Sequence, residues 1–119
     1  MILLQIYFEI LEQNSSAFEK LYHEIYVPAL QVQVGYLSSR LLRIFPQSVA
    51  HEIGALVAPY NYQIELVFDT EANRRRWVAS SEHIFAWGQA EALASRVAHC
   101  GYDLIGQNEN TEQGEGELS

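Results

Sequence analysis

ILLQIYFEIL, residues 2–11, alternates between two sets of side chains. One set is wholly apolar and comprises Ile2, Leu4, Ile6, Phe8 and Ile10. The other set mixes apolar Leu3, Tyr7 and Leu11 with polar Gln5 and Glu9. A period of two is that of a β-strand, whose successive side chains point to opposite faces of a sheet. We predict that other parts of this chain bury the first face. The second face is too apolar to lie entirely in water and too polar to be part of a monomer core.

A helix is predicted after the polar turn at residues 14–16, because apolar residues then recur three and four apart. Pro28 is expected to kink or end this helix, since it lacks a backbone N–H and clashes with the preceding turn. Residues 35–46 predict the second strand, which Pro46 ends. The apolar segment 47–59 is too long for a hairpin loop, so a short helix or a strand extension is expected there.

The second half repeats this alternation of strand and helix. Residues 62–69 alternate and predict the third strand. A second helix follows, is interrupted near residues 80–81, and is expected to continue to about residue 97, with a fourth strand over 99–106. The order β-α-β-β-α-β predicts an α+β, ferredoxin-like fold, in which two helices cover one face of a four-stranded antiparallel sheet. We expect the other face to pair with a second copy in a homodimer, a dimeric α/β barrel; the alternative is a monomer with a half-wet sheet.

Composition limits the classes of partner. The chain carries 15 acidic and 7 basic side chains, a net charge of −8, which disfavours nucleic acid as a partner. One cysteine rules out an internal disulfide and a cysteine-rich metal site. No apolar run is long enough to span a membrane, and residues 1–13 lack the features of a signal peptide, so a cytoplasmic protein is expected. Residues 1–106 are predicted as the domain and 107–119 as an acidic, disordered tail or a docked arm.

NRRRWVASSEH, residues 73–83, holds the side chains best suited to chemistry. Asn73 and Trp77 are four apart and share a helix face, so both can donate a hydrogen bond to a developing oxyanion. His83 is the residue best matched to accepting a proton near neutral pH. The competing interpretation makes Trp77 a core anchor and Asn73 an ordinary first-turn residue, with the three arginines on a solvated face. The four histidines are spread over four elements and predict no metal site.

The strand pair GYLSSRLLRI and YQIELVFD, and the pattern W-x3-S-x-H in Trp77, Ser81 and His83, followed by Trp87, resemble one family. It is the antibiotic biosynthesis monooxygenase-like family of dimeric α/β barrels, and the resemblance covers residues 1 to about 106. That superfamily includes quinol oxygenases, haem-degrading enzymes, isomerases and many proteins of unassigned role, so fold does not specify substrate.

The resemblance implies a mechanism without a cofactor. In the oxygenases of polyketide maturation an Asn precedes the helix Trp by four residues and a Tyr follows it by six; here these places hold Asn73 and His83. The implied chemistry is deprotonation of a phenolic ring, electron transfer to O₂, and stabilisation of the oxyanion by Asn73 and Trp77. Haem-degrading relatives place a His ten residues after the Trp, where this chain has Trp87, and an Asn on strand one, which offers only Gln5 and Tyr7. Haem binding is therefore the weaker alternative.

Aromatic side chains are also expected to line a cavity between sheet and helices, which would suit a small aromatic ligand. The candidates are Phe8, Tyr22, Tyr26, Phe68, Phe85 and Trp87. The alternative is that these rings fill one another's space. A non-catalytic barrel that binds a small ligand, or acts through its tail, is the competing functional class.

Overall fold

The fold is described by a computed structural model, over residues 1–110. Its four strands are β1 (Ile2–Ile10), β2 (Tyr36–Arg43), β3 (Tyr62–Phe68) and β4 (Ala94–Asp103). They form one sheet in the order β2-β3-β1-β4, and every neighbouring pair is antiparallel. This is the ferredoxin-like arrangement, so the predicted α+β fold is confirmed. β1 lies in the interior of the sheet, bonded to β3 on one side and to β4 on the other.

The helices are α1 (Ser15–Leu21), α2 (Val27–Gln31), α3 (Gln47–Glu52), α4 (Glu71–Ala79) and α5 (Ser81–Leu93). Of the two effects expected of Pro28, a kink or an end, the structure does not show an end of the first helix at this residue. A π-helical turn, Tyr22–Tyr26, joins α1 to α2, and the Val27 N–H bonds to the Tyr22 carbonyl five residues back. Pro28 then lies in the first turn of α2, where a missing N–H costs little. The predicted short helix within residues 47–59 is confirmed as α3.

The last strand starts earlier than predicted. α5 ends at Leu93, and Ala94 is extended, with φ −103° and ψ 143°. Residues 94–98 pair with the end of β1, where Val97 lies opposite Phe8. The sequence prediction extended the helix to residue 97 and was wrong, because pairing with an available strand edge outweighs the helix propensity of alanines.

The helix-facing side of the sheet forms the core. Its centre is a set of aromatic and aliphatic side chains from β1, β3 and the helices that are almost completely buried: Phe8, Ile10, Phe18, Tyr26, Leu30, Ile64, Leu66, Phe68 and Trp77. Phe8 packs on Phe18 with ring centroids 4.9 Å apart, and Phe18 packs on Tyr62 at 5.1 Å. Each such ring contributes roughly 1.5–3 kcal/mol through burial.

The opposite side of the sheet, here called the open face, carries no helix. Its centre is Glu65, which is only 8% exposed. Arg40 approaches one carboxylate oxygen of Glu65 at 2.5 Å, and the side-chain amides of Gln5 and Gln63 donate to the other at 3.0 and 3.2 Å. The Tyr7 hydroxyl in turn donates to Gln5 at 2.6 Å. The carboxylate of Glu65 is therefore hydrogen-bonded within this chain.

Residues 104–110 follow β4 without helix or strand. The prediction of a disordered tail over 107–119 concerns mainly residues 111–119, which lie outside the described residues. Within residues 1–110, no helix has the length and apolar character needed to cross a membrane.

Two glycines with positive φ allow a matched prediction. At Gly35, φ is +85°, and an added Cβ would lie 2.5 Å from Asn73 Nδ2 and closer still to Asp69 Oδ1. At Gly54, φ is +70°, but an added Cβ would meet nothing within 4 Å. We expect Gly54→Ala to lower the free energy of unfolding by about 1 kcal/mol, from backbone strain alone. Gly35→Ala should cost about 2 kcal/mol or more, because a steric clash is added. Urea unfolding of both variants checks this, and equal losses would contradict it.

Candidate functional site

A cavity of about 270 Å³ lies between the helix-facing side of the sheet and helices α4 and α5. Leu4, Ile6 and Leu66 provide its apolar floor. Its remaining lining combines apolar, aromatic and basic side chains from the helices and β4: Tyr26, Arg74, Trp77, Val78, His83, Trp87 and His99. Since a cavity of roughly 150 Å³ can hold one benzene ring, this volume suits one or two aromatic rings. A larger groove of about 510 Å³ lies on the open face, beside Tyr7 and Tyr60, and includes none of the predicted catalytic residues.

Ser80, between α4 and α5, brings Trp77 and His83 together. Its hydroxyl donates to the Trp77 carbonyl at 2.7 Å and accepts from the His83 backbone N–H at 3.1 Å. One serine thus ends α4 and caps α5. Because the chain turns sharply here, the rings of Trp77 and His83 meet edge to face at 4.8 Å. The predicted interruption of this helix near residues 80–81 is confirmed.

His83 is held between the two tryptophans of the chain. Its ring lies parallel to that of Trp87, with centroids 6.2 Å apart. Nδ1 of His83 is buried and has no hydrogen-bond partner, alone among the buried side-chain nitrogens and oxygens of residues 1–110. Burial lowers the pKa of His83 below its usual 6.5, although the nearby Val78 carbonyl opposes this shift. His83 is therefore neutral at pH 7 and able to accept a proton.

Tyr26 and Trp77 provide neutral donors at the same cavity. Burial raises the pKa of Tyr26, so its phenol stays protonated at neutral pH. Trp77 is 1% exposed and packs edge to face on Tyr26, with centroids 5.9 Å apart. An indole N–H is a donor only, so a ligand oxygen is its natural partner.

Asn73 does not join this group. Its amide Nδ2 donates to Asp69 Oδ1 at 2.9 Å, a bond that lowers the pKa of Asp69. Its backbone N–H is bonded to the Thr70 side chain at 3.1 Å, which caps α4. Asn73 thus packs against Gly35 at the start of α4 and is not part of the cavity lining. The structure brings Trp77 and His83 together and leaves Asn73 one helical turn away.

The six predicted ligand-binding aromatics divide into three groups. Tyr26 and Trp87 line the cavity. Phe8, Tyr22 and Phe68 instead fill the core: Phe8 packs on Phe18, Phe68 lies 6.0 Å from Tyr36, and the Tyr22 hydroxyl bonds to Ser39 at 2.7 Å. Phe85 is 59% exposed on the outer side of α5 and lies away from the cavity.

Two charged or titratable residues of the lining, Arg74 and His99, were missed from the sequence. Arg74 donates two hydrogen bonds to Glu71, at 2.7 and 2.6 Å, and with Arg75 it lowers the pKa of Glu71 to about 2. The charge of Arg74 is thus balanced at the cavity rim. His99 lies on β4 opposite Ile6, and opposed residues of antiparallel strands share a face. Val97 packs on the core, and the side chain two residues later in a strand points to the same face. This alternation would have placed His99 on the helix-facing side of the sheet.

The fold is found in several solved structures. SnoaB, a cofactor-independent oxygenase from Streptomyces nogalater, superposes with a TM-score of 0.69 at 15% identity, over 89% of this chain and 94% of its own. A protein from Nitrosomonas europaea, provisionally named an antibiotic biosynthesis monooxygenase, superposes with a TM-score of 0.68 at 8% identity. The match covers 89% of this chain and 100% of that protein. A dimeric ferredoxin-like protein of unknown function from Thermobifida fusca superposes with a TM-score of 0.66 at 10% identity. The match covers 87% of this chain and 90% of that protein.

This chain shares their fold. At such low sequence identities, a shared fold does not show that this chain has the activity of these proteins. No protein-family model and no curated protein sequence matches the chain.

The buried environment of His83 predicts its titration. Since the folded pKa lies below 6.5, the unfolded chain takes up a proton first on acidification, so this residue makes stability fall as pH drops below 6.5. Histidine ring resonances followed by NMR from about pH 8 to about pH 5 should include one with a midpoint below 6.5. That resonance should vanish in His83→Gln and persist in His51→Gln, which changes an exposed histidine of α3. A midpoint for His83 above 6.5 would contradict the assignment.

Proposed function

We propose that this chain is a cofactor-independent monooxygenase of a small phenol or quinol, with His83 as proton acceptor and Trp77 as oxyanion donor. The observation that carries the proposal is the unpartnered, buried Nδ1 of His83, whose ring meets that of Trp77 at 4.8 Å in the lining of the cavity. A buried polar atom without a partner costs roughly 1–3 kcal/mol, so a site that retains one has a reason to do so. The fold shared with a cofactor-independent oxygenase supports the same assignment.

The reaction needs no electrons beyond those of the substrate. His83 takes the phenolic proton, and the resulting phenolate is electron-rich enough to pass one electron to O₂. The superoxide and the aryl radical then combine at a ring carbon to form a peroxide, which breaks at its O–O bond and releases water. For a hydroquinone the balance is C₆H₆O₂ + O₂ → C₆H₄O₃ + H₂O, a hydroxyquinone. The indole N–H of Trp77 stabilises the phenolate oxygen, in an apolar site where one donor is worth more than in water.

A non-catalytic ligand-binding barrel is the second candidate, and one observation favours it. Asn73, the other predicted oxyanion donor, has its amide bonded to Asp69 and lies outside the cavity. Without it the oxyanion has fewer donors than the oxygenase pattern implies. In this reading Trp77 and His83 bind an aromatic ring and its oxygen without activating it.

Oxygen uptake separates the two candidates. We expect the protein to consume O₂ with small hydroquinones. His83→Gln should lower kcat by about 10²-fold or more, because the proton acceptor is lost. Trp77→Phe should lower kcat by a similar factor with a smaller change in KM, because it removes the N–H and keeps the ring. His51→Gln serves as the control and should match the wild type. Equal rates in His83→Gln and the wild type would remove the catalytic proposal, leaving the binding barrel.

We propose further that the active species is a homodimer joined through the open face. Leu3, Tyr7 and Val67 give this face apolar character. Its central carboxylate, Glu65, is already bonded to Arg40, Gln5 and Gln63, so covering it leaves no unpaired charge. A partner sheet packed face to face would cover this surface. The dimeric description of the Thermobifida fusca neighbour supports the proposal.

Sedimentation velocity tests this interface with two matched substitutions. Val67→Arg adds a charge to the open face that a covering sheet would have to bury, and should convert the dimer to a monomer at micromolar concentration. Val32→Arg makes the same change at the exposed end of α2 and should leave the dimer intact. Circular dichroism confirms that both variants fold. A wild-type protein that sediments as a native monomer would refute the proposed dimer.

A further inference from the structure

The polar groups of the cavity come from both layers that enclose it, the helices and the sheet. On the helical side are Trp77 and His83, and on the strand side is His99, the only polar residue that the sheet contributes to the lining. Leu4, Ile6 and Leu66, which also come from the sheet, form the apolar floor. A ligand complementary to this lining has an apolar centre and a hydrogen-bonding group at each of two ends.

His99 is well placed for the outer of these two ends. His99 lies on β4, the edge strand next to β1. His99 is exposed, whereas Nδ1 of His83 is buried. The next residue of β4 on the same face is Gly101, whose missing side chain leaves the Leu4 side of the floor uncovered. The lining therefore includes a histidine with a buried Nδ1 on the helical side and an exposed histidine on the strand side.

The charges at the cavity point to the kind of oxygen that binds. No carboxylate is part of the lining within residues 1–110. Glu71 forms ion pairs with Arg74 and Arg75. The groups that face His99 across the cavity are Arg74, Trp77, His83 and Tyr26, and each can donate a hydrogen bond. Hydroxyl or phenolate oxygens at both ends of a ligand fit this set.

We infer that His99 is a specificity-determining residue that binds a second oxygen of the substrate, opposite the oxygen bound at Trp77 and His83. This rests on the proposed function, and it narrows the substrate class to one- or two-ring aromatic diols with their hydroxyls at opposite ends. A simple phenol of the same size can occupy the inner half of the site, but it leaves His99 unpaired.

Binding measured without oxygen tests this inference apart from turnover. Both tryptophans of the chain line the cavity, so their fluorescence reports ligand entry. The probes are hydroquinone and 4-methylphenol, which has a methyl group in place of the second hydroxyl. We expect the wild type to bind hydroquinone about five- to tenfold more tightly, the effect of one additional hydrogen bond.

Three variants assign that preference to His99. His99→Leu should abolish it while leaving the affinity for 4-methylphenol unchanged, and His99→Gln should restore most of it. His51→Leu, in an exposed histidine away from the cavity, should behave as the wild type. Equal affinity for both probes in the wild type, a preference that survives His99→Leu, or no binding of either probe would each overturn the inference.

Oxygen uptake with the same variants separates this outcome from that of the proposed function. A hydroquinone preference that depends on His99, without oxygen uptake, would retain the second oxygen site and remove the catalysis. Oxygen uptake without such a preference would retain the catalysis and remove the second oxygen site.

Discussion

The hydroxyl of Ser80 holds the site together. It donates to the last turn of α4 and accepts from the first turn of α5, so two helices that could have formed one continuous rod are set at an angle. The break places Trp77, near the end of α4, against His83, near the start of α5. In a continuous helix, residues six apart lie about 120° apart around the axis and do not face each other. The proposed chemistry therefore depends on one side-chain hydroxyl that serves as both donor and acceptor.

The two faces of the sheet differ in composition. Because β1 is interior, its alternation is imposed on both neighbours through the registers that place Ile6 opposite Ile64 and His99. The helix-facing side supplies the core and the cavity floor, while the other side carries the Glu65 network. A one-residue slip of β1 would exchange these sides, placing Gln5 in the core and Ile6 in water. The register thus maintains the cavity and the open face together.

Strands were easier to predict from the sequence than the members of the site. Alternation assigns each strand residue to a face without knowledge of its neighbours, and β1 and β3 were found almost to the residue. The start of β4 was missed because Ala94 and Val97 suit a helix as well as a strand until β1 offers its edge. Helical periodicity likewise gives a face but not what covers it. Asn73 shares a face with Trp77, yet one turn earlier that face meets Gly35 and Asp69 instead of the cavity.

The polarity of the open face explains how one surface can be stable in water and also suit a partner. A buried carboxylate alone would forbid a dry interface, since removing it from water costs several kcal/mol unless it is paired. Here Arg40, Gln5 and Gln63 bond to both oxygens of Glu65 before any partner arrives, and Tyr7 bonds to Gln5. What remains for a partner is largely the apolar surface of Leu3, Val67 and the Tyr7 ring. The same internal pairing leaves few free donors and acceptors on this face for a wrong partner. The affinity of the proposed dimer would therefore come from shape and apolar contact. Its selectivity would come from the fixed pattern of charge.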